Sequence, residues 1–375
     1  MLIGVPAETH AGETRVAVTP ETAKKLTSQG HNLRVQSGAG VAASVTDMAY
    51  TAAGAEITDA AGALGCGLVL KVRSPSAAEL GQMQSGACLV GMLNPFDAAG
   101  LQSLAGAGLT SFALEAAPRT TRAQSMDVLS SQANIAGYKA IMMAADQYQR
   151  FFPMLMTAAG TVKAARVVIL GVGVAGLQAI ATAKRLGAVI EASDVRPSVK
   201  EQVESLGGKF IDVSYDTAEE KEAAVGVGGY ARPMPQSWLD RQKIEVAKRV
   251  ALADVVISTA LIPGRAAPTL ISEDMVRSMK PGSVIVDIAA GKGSDGGGNC
   301  PLSEADKTVV KHGVTIIGET NLPARVAADA SALYARNVLD FLKLILPKDG
   351  GLKVDMEDDI VAACLMTQGG EVRRK

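Results

Sequence analysis

The stretch ARVVILGVGVAGLQAIATAKRLGAVIEASDVR, residues 165 to 196, most narrows what this chain can become. A β-like run ends at Gly171, Gly173 and Gly176 complete a G-x-G-x-x-G spacing, and LQAIATAKRL reads as a helix stopped by Gly187. A second strand then ends in Asp194, eighteen residues after Gly176. The glycine spacing alone is a weak signal; the strand, turn, helix and second strand around it make it specific. Gly171 permits the tight turn, Gly173 lets the backbone approach a pyrophosphate, and Gly176 lets helix and strand pack closely. The helix start offers unpaired N–H groups and a partial positive charge to phosphates. Asp194 can accept hydrogen bonds from an adenosine ribose and repels a 2′-phosphate, which favours NAD(H) over NADP(H). Arg196 pulls the other way, because a guanidinium pairs with a 2′-phosphate. Glycines serving only a tight turn are the plainer reading.

The rest of the chain extends this pattern. LIGVP (2–6), NLRVQS (32–37), LVLKV (68–72), CLVGML (88–93) and LTSFAL (109–114) read as buried strands, with helices over 20–30 and 46–55. ARVVIL opens a second series, continued by AVIEASD (188–194), KFIDV (209–213), DVVISTA (254–260), SVIVDIA (283–289) and VTIIGET (314–320). The run 328–346 reads as an amphipathic helix with Leu333, Val338, Leu339, Leu342 and Ile345 near one face, expected to pack on the N-terminal domain. The expected class is α/β, two doubly wound Rossmann-like domains with the second inserted in a discontinuous first: 1–132 plus 322–375, and 133–321.

Composition excludes other classes. With 48% hydrophobic residues the chain can bury large cores, and 375 residues suit two of them. A net charge of −1 and 3% aromatics argue against nucleic acid as a partner. Cys66, Cys88, Cys300 and Cys364 lie far apart and read as reduced thiols. The start MLIGVPAETH reads as no signal peptide, and 167–183 is broken by glycines, so no membrane span is expected.

Several stretches carry polar chemistry outside the glycine motif. RAQSMDVLSSQANIAGY (122–138) is either a solvated loop or a set of groups aimed at a ligand. AAGKGSDGGGNC (289–300) is not a Walker A loop and reads equally as a surface loop or a cofactor-facing one. GVGGYARPMP, with Gly229 beside Tyr230, suits a lid. His10, His31 and His312 show no metal spacing, and no metal is expected. Arg15 and Lys71 could each bind a carboxylate or be solvated.

Most of the chain resembles the soluble NAD(H)-binding component of proton-translocating transhydrogenases, which is itself similar to alanine dehydrogenase. The resemblance runs through ETRVAVTPE (13–21), GAGVAASVTD (38–47), PRTTRAQSMDVLSSQANIAGYKA (118–140), MLMTAAGTV (154–162), the glycine motif, TALIPGRAAP (259–268), NCPLSE (299–304) and RVAADAS (325–331). RAQSMD with LSSQ is its specific signature. The resemblance implies that Arg119, Gln124, Asp127 and Ser130 surround the nicotinamide, with Arg119, Gln124 and Asp127 as the catalytic group. It implies that Gly171, Gly173, Val174 and Gly176 line the pyrophosphate, and that Asp194, Val195 and Arg196 surround the adenosine ribose. Ser125, Gly229, Tyr230 and Leu261 join the cofactor contacts.

Activity and partners follow from the same resemblance: direct hydride transfer from NADH here to NADP+ on an NADP(H)-binding partner subunit, coupled to proton movement through a membrane-spanning subunit. A homodimer and a peripheral place on the cytoplasmic face of the inner membrane are implied as well; no hydrophobic tail is read up to Lys375, so the spans are expected on other polypeptides. Alanine dehydrogenase carries a histidine after its fourth strand and an aspartate after the strand matching VIVDIAAGKG. Here Met92 and Ala290–Gly291–Lys292 stand in those neighbourhoods. Arg15 and Lys71, which hold the substrate carboxylate in that enzyme, are present. An alanine-dehydrogenase-like enzyme and a non-catalytic NAD sensor are the competing readings.

Overall fold

The computed structural model describes residues 1–224, 234–347 and 351–374. The chain divides into two compact units, Met1–Gln132 with Pro323–Lys375, and Ala133–Leu322. The second cut falls one residue later than the sequence division, because Leu322 is buried among the second unit's core residues, with Ile317 and Val286.

The first unit is built on an eight-stranded sheet. Its order is Glu371–Val372, Leu365–Gln368, Thr110–Ala113, Cys88–Met92, Leu68–Arg73, Leu2–Val5, Asn32–Gln36 and Glu56–Thr58. The first strand in sequence lies between the second and the fourth, so the order reverses beside it, as in doubly wound folds. Leu68–Arg73 and Cys88–Met92 are buried almost throughout, as strands covered on both faces must be. The late strand Leu365–Gln368 returns antiparallel to Thr110–Ala113. The Ser111 and Thr367 hydroxyls share a buried 2.6 Å hydrogen bond there. The helix Ala327–Ile345 packs into this unit through Tyr334, Val338, Phe341, Leu342 and Ile345, with Phe341 5.4 Å from Phe112. Leu333, expected near the apolar face, is 37% exposed.

The second unit repeats the plan over seven strands: Lys209–Phe210, Val189–Ser193, Arg166–Leu170, Val255–Ser258, Val284–Asp287, Val314–Ile317 and Thr308–Lys311. All pairs are parallel except the last. A two-stranded hairpin, Leu155–Thr157 with Gly160–Val162, stands apart from the sheet.

Sequence boundaries run long where strands end in loops. KFIDV pairs only over Lys209–Phe210, VTIIGET over Val314–Ile317, and Leu114 leaves LTSFAL for a 3-10 turn. The helix expected over 46–55 is Asp47–Ala52, with the Thr46 hydroxyl accepting from the Ala49 N–H. The hairpin and the antiparallel strands Thr308–Lys311 and Leu365–Gln368 carry no clear signal in the sequence.

Candidate functional site

Arg166–Leu170 sits at the reversal point of the second sheet, between Val189–Ser193 and Val255–Ser258. Ligands of open α/β sheets bind at the carboxyl ends of strands at such a point. The three glycines that follow differ in what holds them. Gly171 has φ +91°, and a Cβ there would lie 2.7 Å from the Thr259 hydroxyl oxygen. That hydroxyl donates to the Gly171 carbonyl at 2.9 Å. A Cβ on Gly176 would lie 2.0 Å from the Gly171 carbonyl oxygen, so helix and strand touch only because no side chain intervenes. A Cβ on Gly173 would meet nothing within 4 Å. Packing therefore demands the first and third glycines, and open space lies over the second. The helix Val174–Arg185 begins there with Gly173 as its N-cap and no side chain capping it. A pyrophosphate fits this set: an uncapped twelve-residue helix N-terminus beside a backbone that presents no Cβ.

Asp194 follows the strand Val189–Ser193 and turns back over the glycine turn. Its Oδ2 accepts the Val172 N–H at 2.7 Å. Its Oδ1 accepts the Arg196 backbone N–H and Nε, each at 2.9 Å, and Arg196 Nη2 donates to Oδ2 at 3.0 Å and to the Val172 carbonyl at 3.1 Å. A carboxylate offers about four acceptor positions. Arg196 and Val172 take all four, so a ribose reaches Asp194 only by displacing part of the Arg196 contact. Arg196, read from sequence as a group for a 2′-phosphate, holds Asp194 instead. Val195 packs on the cluster around Trp238, half-buried.

Two further loops of the same unit lie side by side, the first meeting the glycine turn through Thr259. Asn299 is fully buried and bridges them: its Oδ1 accepts from the Ala260 N–H, and its Nδ2 donates to the carbonyls of Ala260 and Pro268 at 2.9 and 2.8 Å. Buried Asp287 accepts from the Ser258 and Ser303 hydroxyls and from the Ala289 and Cys300 N–H groups. These bonds fold AAGKGSDGGGNC back on its strand and set the backbone from which Leu261 projects, 47% exposed. Asp287 is thus a structural hub. Sequence reasoning finds the loop but misses Thr259, Asp287 and Asn299 as its ties; the lone amide after three glycines is the available signal.

In the first unit the polar stretch proves largely committed. Asp127 precedes the helix Val128–Gln147, and its carboxylate accepts from Ser130 N–H and hydroxyl at 2.9 and 2.6 Å. Two expected nicotinamide residues therefore bond to each other, in N-cap geometry. Arg122 pairs with Asp358 and Asp359. Gln132 is buried, accepting from Arg15 Nη1 at 2.7 Å and donating to the Ala330 carbonyl. Arg119, Gln124 and Ser125 are exposed. The side chains of Gln124 and Ser125 make no hydrogen bond among the described residues, and both lie on the short 3-10 helix Gln124–Met126.

Arg15 and Lys71 are neither solvated nor open. Lys71 is fully buried, 2.7 Å from Glu79 and 3.4 Å from Glu8. Arg15, 2% exposed, holds Glu13, which also meets Arg73. Burial alone would push the Glu13 carboxyl up, but Arg15 and Arg73 hold it at about 2. Burial does raise Glu8 above the usual carboxylate range, against the pull of Lys71.

Gly229 and Tyr230 lie outside the described residues. Among the described residues no cluster of His, Cys, Asp and Glu could hold a metal, and no helix is long and apolar enough to cross a membrane. The four cysteines are buried and unpaired. His10 contacts the Ser74 carbonyl and His312 meets Glu273, both at exposed sites.

Residues 4–136 match the family pattern described as alanine dehydrogenase/PNT, N-terminal domain, and residues 140–375 match its C-terminal counterpart. The chain is 51% identical over 381 residues to an NAD(P) transhydrogenase subunit alpha polypeptide of Rhodospirillum rubrum, across 99% of this chain and 97% of that one. It is 32% identical over 332 residues to alanine dehydrogenase of Mycobacterium tuberculosis, across 87% and 82%. A solved transhydrogenase from Sinorhizobium meliloti superposes with a TM-score of 0.89 at 46% identity, across 99% and 100% of the two chains. An L-alanine dehydrogenase superposes at 0.80 with 28% identity, across 100% and 97%. On sequence and fold alike, the chain belongs to the alanine dehydrogenase/PNT family.

Proposed function

We propose that this chain is the NAD(H)-binding component of a proton-translocating transhydrogenase, passing hydride directly between NADH and NADP+ held by a partner subunit. The observation that carries the reading is the glycine turn: two glycines required by packing and one, Gly173, left bare beside an uncapped helix. The greater identity to a transhydrogenase subunit than to an alanine dehydrogenase supports this reaction over amino-acid oxidation.

The bound nicotinamide supplies and accepts the hydride. The chain's residues hold and orient. Gly173, Val174 and the first turn of Val174–Arg185 receive the pyrophosphate, and Asp194, Val195 and Arg196 receive the adenosine ribose. Gln124 and Ser125 present uncommitted polar groups suited to a carboxamide, with Arg119 nearby in sequence and Asp127 held by Ser130. Hydride transfer between two nicotinamides moves no proton at carbon, so positioning and exclusion of water supply most of the effect. Half-buried Met92, at the end of Cys88–Met92, offers no acid or base where alanine dehydrogenase is expected to have its histidine.

The partners in this reading are an NADP(H)-binding subunit, a membrane-spanning subunit and a second copy of the chain, with the assembly on the cytoplasmic face of the inner membrane. The hairpin at 155–162 supports the homodimer: an isolated two-stranded ribbon is marginal in water, and it carries Met156 and Val162 at 75% and 36% exposure. The deciding experiment mixes the purified chain with NADH and an NADP+ analogue, with and without an NADP(H)-binding partner. Transfer only with the partner is expected. Reductive amination of pyruvate by the chain alone would replace this reading with an amino-acid dehydrogenase. Tight NADH binding with no transfer under any pairing would leave a sensor.

A further inference from the structure

Arg122 is the residue of the polar stretch that the reading above leaves without work. Its Nη1 donates to Asp358 Oδ2 at 2.6 Å and its Nη2 to Asp358 Oδ1 at 2.8 Å, and Nη2 also reaches Asp359. Asp358 is anchored in turn. Its Oδ1 accepts the N–H groups of Ile360 and Val361 at 2.9 and 3.1 Å, capping the helix Asp359–Cys364. Ile360, Val361 and Cys364 of that helix are buried in the first unit's core. A second tie meets the same stretch from the helix Ala327–Ile345. Asn337 donates to the Ser125 carbonyl at 2.7 Å and accepts from the Ser131 hydroxyl at 2.7 Å. Ala123 and Met126 are buried on either side of Gln124 and Ser125. The turn bearing Gln124 and Ser125 is thus tied at one end by Arg122 and at the other by Asn337, with both side chains left projecting.

An exposed ion pair contributes little to stability, so Arg122 does little for the fold. A planar fork on one carboxylate does something else: it sets direction as well as distance. Arg122 holds the Asp358 carboxyl at about 2, so the pair is charged throughout the neutral range.

We propose that Arg122 is a positioning residue for hydride transfer: its fork on Asp358, with Asp359, orients the turn from which Gln124 and Ser125 meet the nicotinamide. This rests on the transhydrogenase reading. The test uses the full chain with saturating NADP(H)-binding partner, comparing wild type with Arg122→Ala, Arg122→Lys and Asp358→Asn. Asparagine caps a helix as well as aspartate, so the last variant removes the charge and keeps the cap. Arg122→Ala and Asp358→Asn should slow transfer on the order of ten- to a hundredfold, the scale of a small misplacement, with NADH affinity and Tm unchanged. Lysine keeps the charge and loses the fork, so Arg122→Lys should recover little of the rate. Wild-type rates in Arg122→Ala would overturn the inference. So would an equal loss of NADH affinity, full rescue by lysine, or a loss seen only below saturating partner, which would place Arg122 on a docking face. A wild-type chain silent with its partner removes the underlying reading, an outcome distinct from all of these.

Discussion

Gly173 and Gly176 sit three residues apart and answer to different forces. Gly173→Ala adds a methyl group to open space at an ordinary φ of −82°. The variant should melt within about a degree of wild type yet bind NADH at least tenfold more weakly, because the methyl stands where a phosphate would. Gly176→Ala forces a methyl against a carbonyl oxygen, and should lose about 1–3 kcal/mol of stability. Thermal melts alongside NADH titration separate the two; equal loss of stability in both would contradict the assignment. Asp194→Ala should weaken NADH binding by about 1.5–3 kcal/mol, the usual worth of a charged hydrogen bond, and relax discrimination against NADPH. Unchanged selectivity would remove Asp194 from the ribose. Gln124→Asn should slow hydride transfer far more than it weakens NADH binding, because it shifts the ring and leaves the phosphates held; equal losses would argue otherwise. The glycine roles are legible in the sequence because each follows from local backbone sterics. The state of Asp194 is not, since four acceptor positions filled by Arg196 and Val172 depend on how three loops close. Lys71 shows the same limit. Its partners are Glu8, after the neighbouring strand Leu2–Val5, and Glu79, in the short helix Ala77–Leu80, and no spacing in LVLKVRSP announces them.

Among the elements, loops carry the precision. The Asn299 side chain joins the backbone after Val255–Ser258 to the loop after Val284–Asp287, beside a backbone bond from Ala267 to the Lys292 carbonyl. Asn299→Ala leaves the part-buried Ala260 N–H and two carbonyls without that partner, at a cost of about 1 kcal/mol for each bond lost. Hydrogen exchange should quicken over 259–268, and Leu261 should lose its place; unchanged protection there would show that other bonds hold the loop. The strands of both sheets are readable as apolar runs because burial on both faces writes itself into sequence. The hairpin at 155–162 is not, being two three-residue strands with little alternation. The antiparallel return of Leu365–Gln368 is equally silent, because its partner lies more than two hundred residues earlier.

At the scale of the molecule, the ionic cluster in the first unit should govern acid stability. Glu13 titrates at about 2 when folded, against an ordinary 4.5. A carboxyl depressed in the folded state stabilises it above the unfolded value and loses that contribution as pH falls from 4.5 towards 2. The shift corresponds to about 3 kcal/mol. Glu8 runs in the opposite sense, so the measurement is a difference: Tm against pH for wild type and Glu13→Gln. The variant should melt lower at neutral pH, and the gap should close below pH 4.5; a gap independent of pH would assign the loss to packing. The first unit also sets an order of events during synthesis. Its sheet has a place for Leu365–Gln368 beside Thr110–Ala113. At typical elongation rates of about 5–20 residues per second, tens of seconds separate those two strands. Throughout that interval Thr110–Ala113 waits as an open edge, and Ala133–Leu322 receives the last strand of its own sheet, Val314–Ile317, before Leu365 is made. The ribosome therefore finishes the inserted unit before the one that surrounds it, and whatever shields that waiting edge in the cell is as much a condition for the functional fold as any side chain in it.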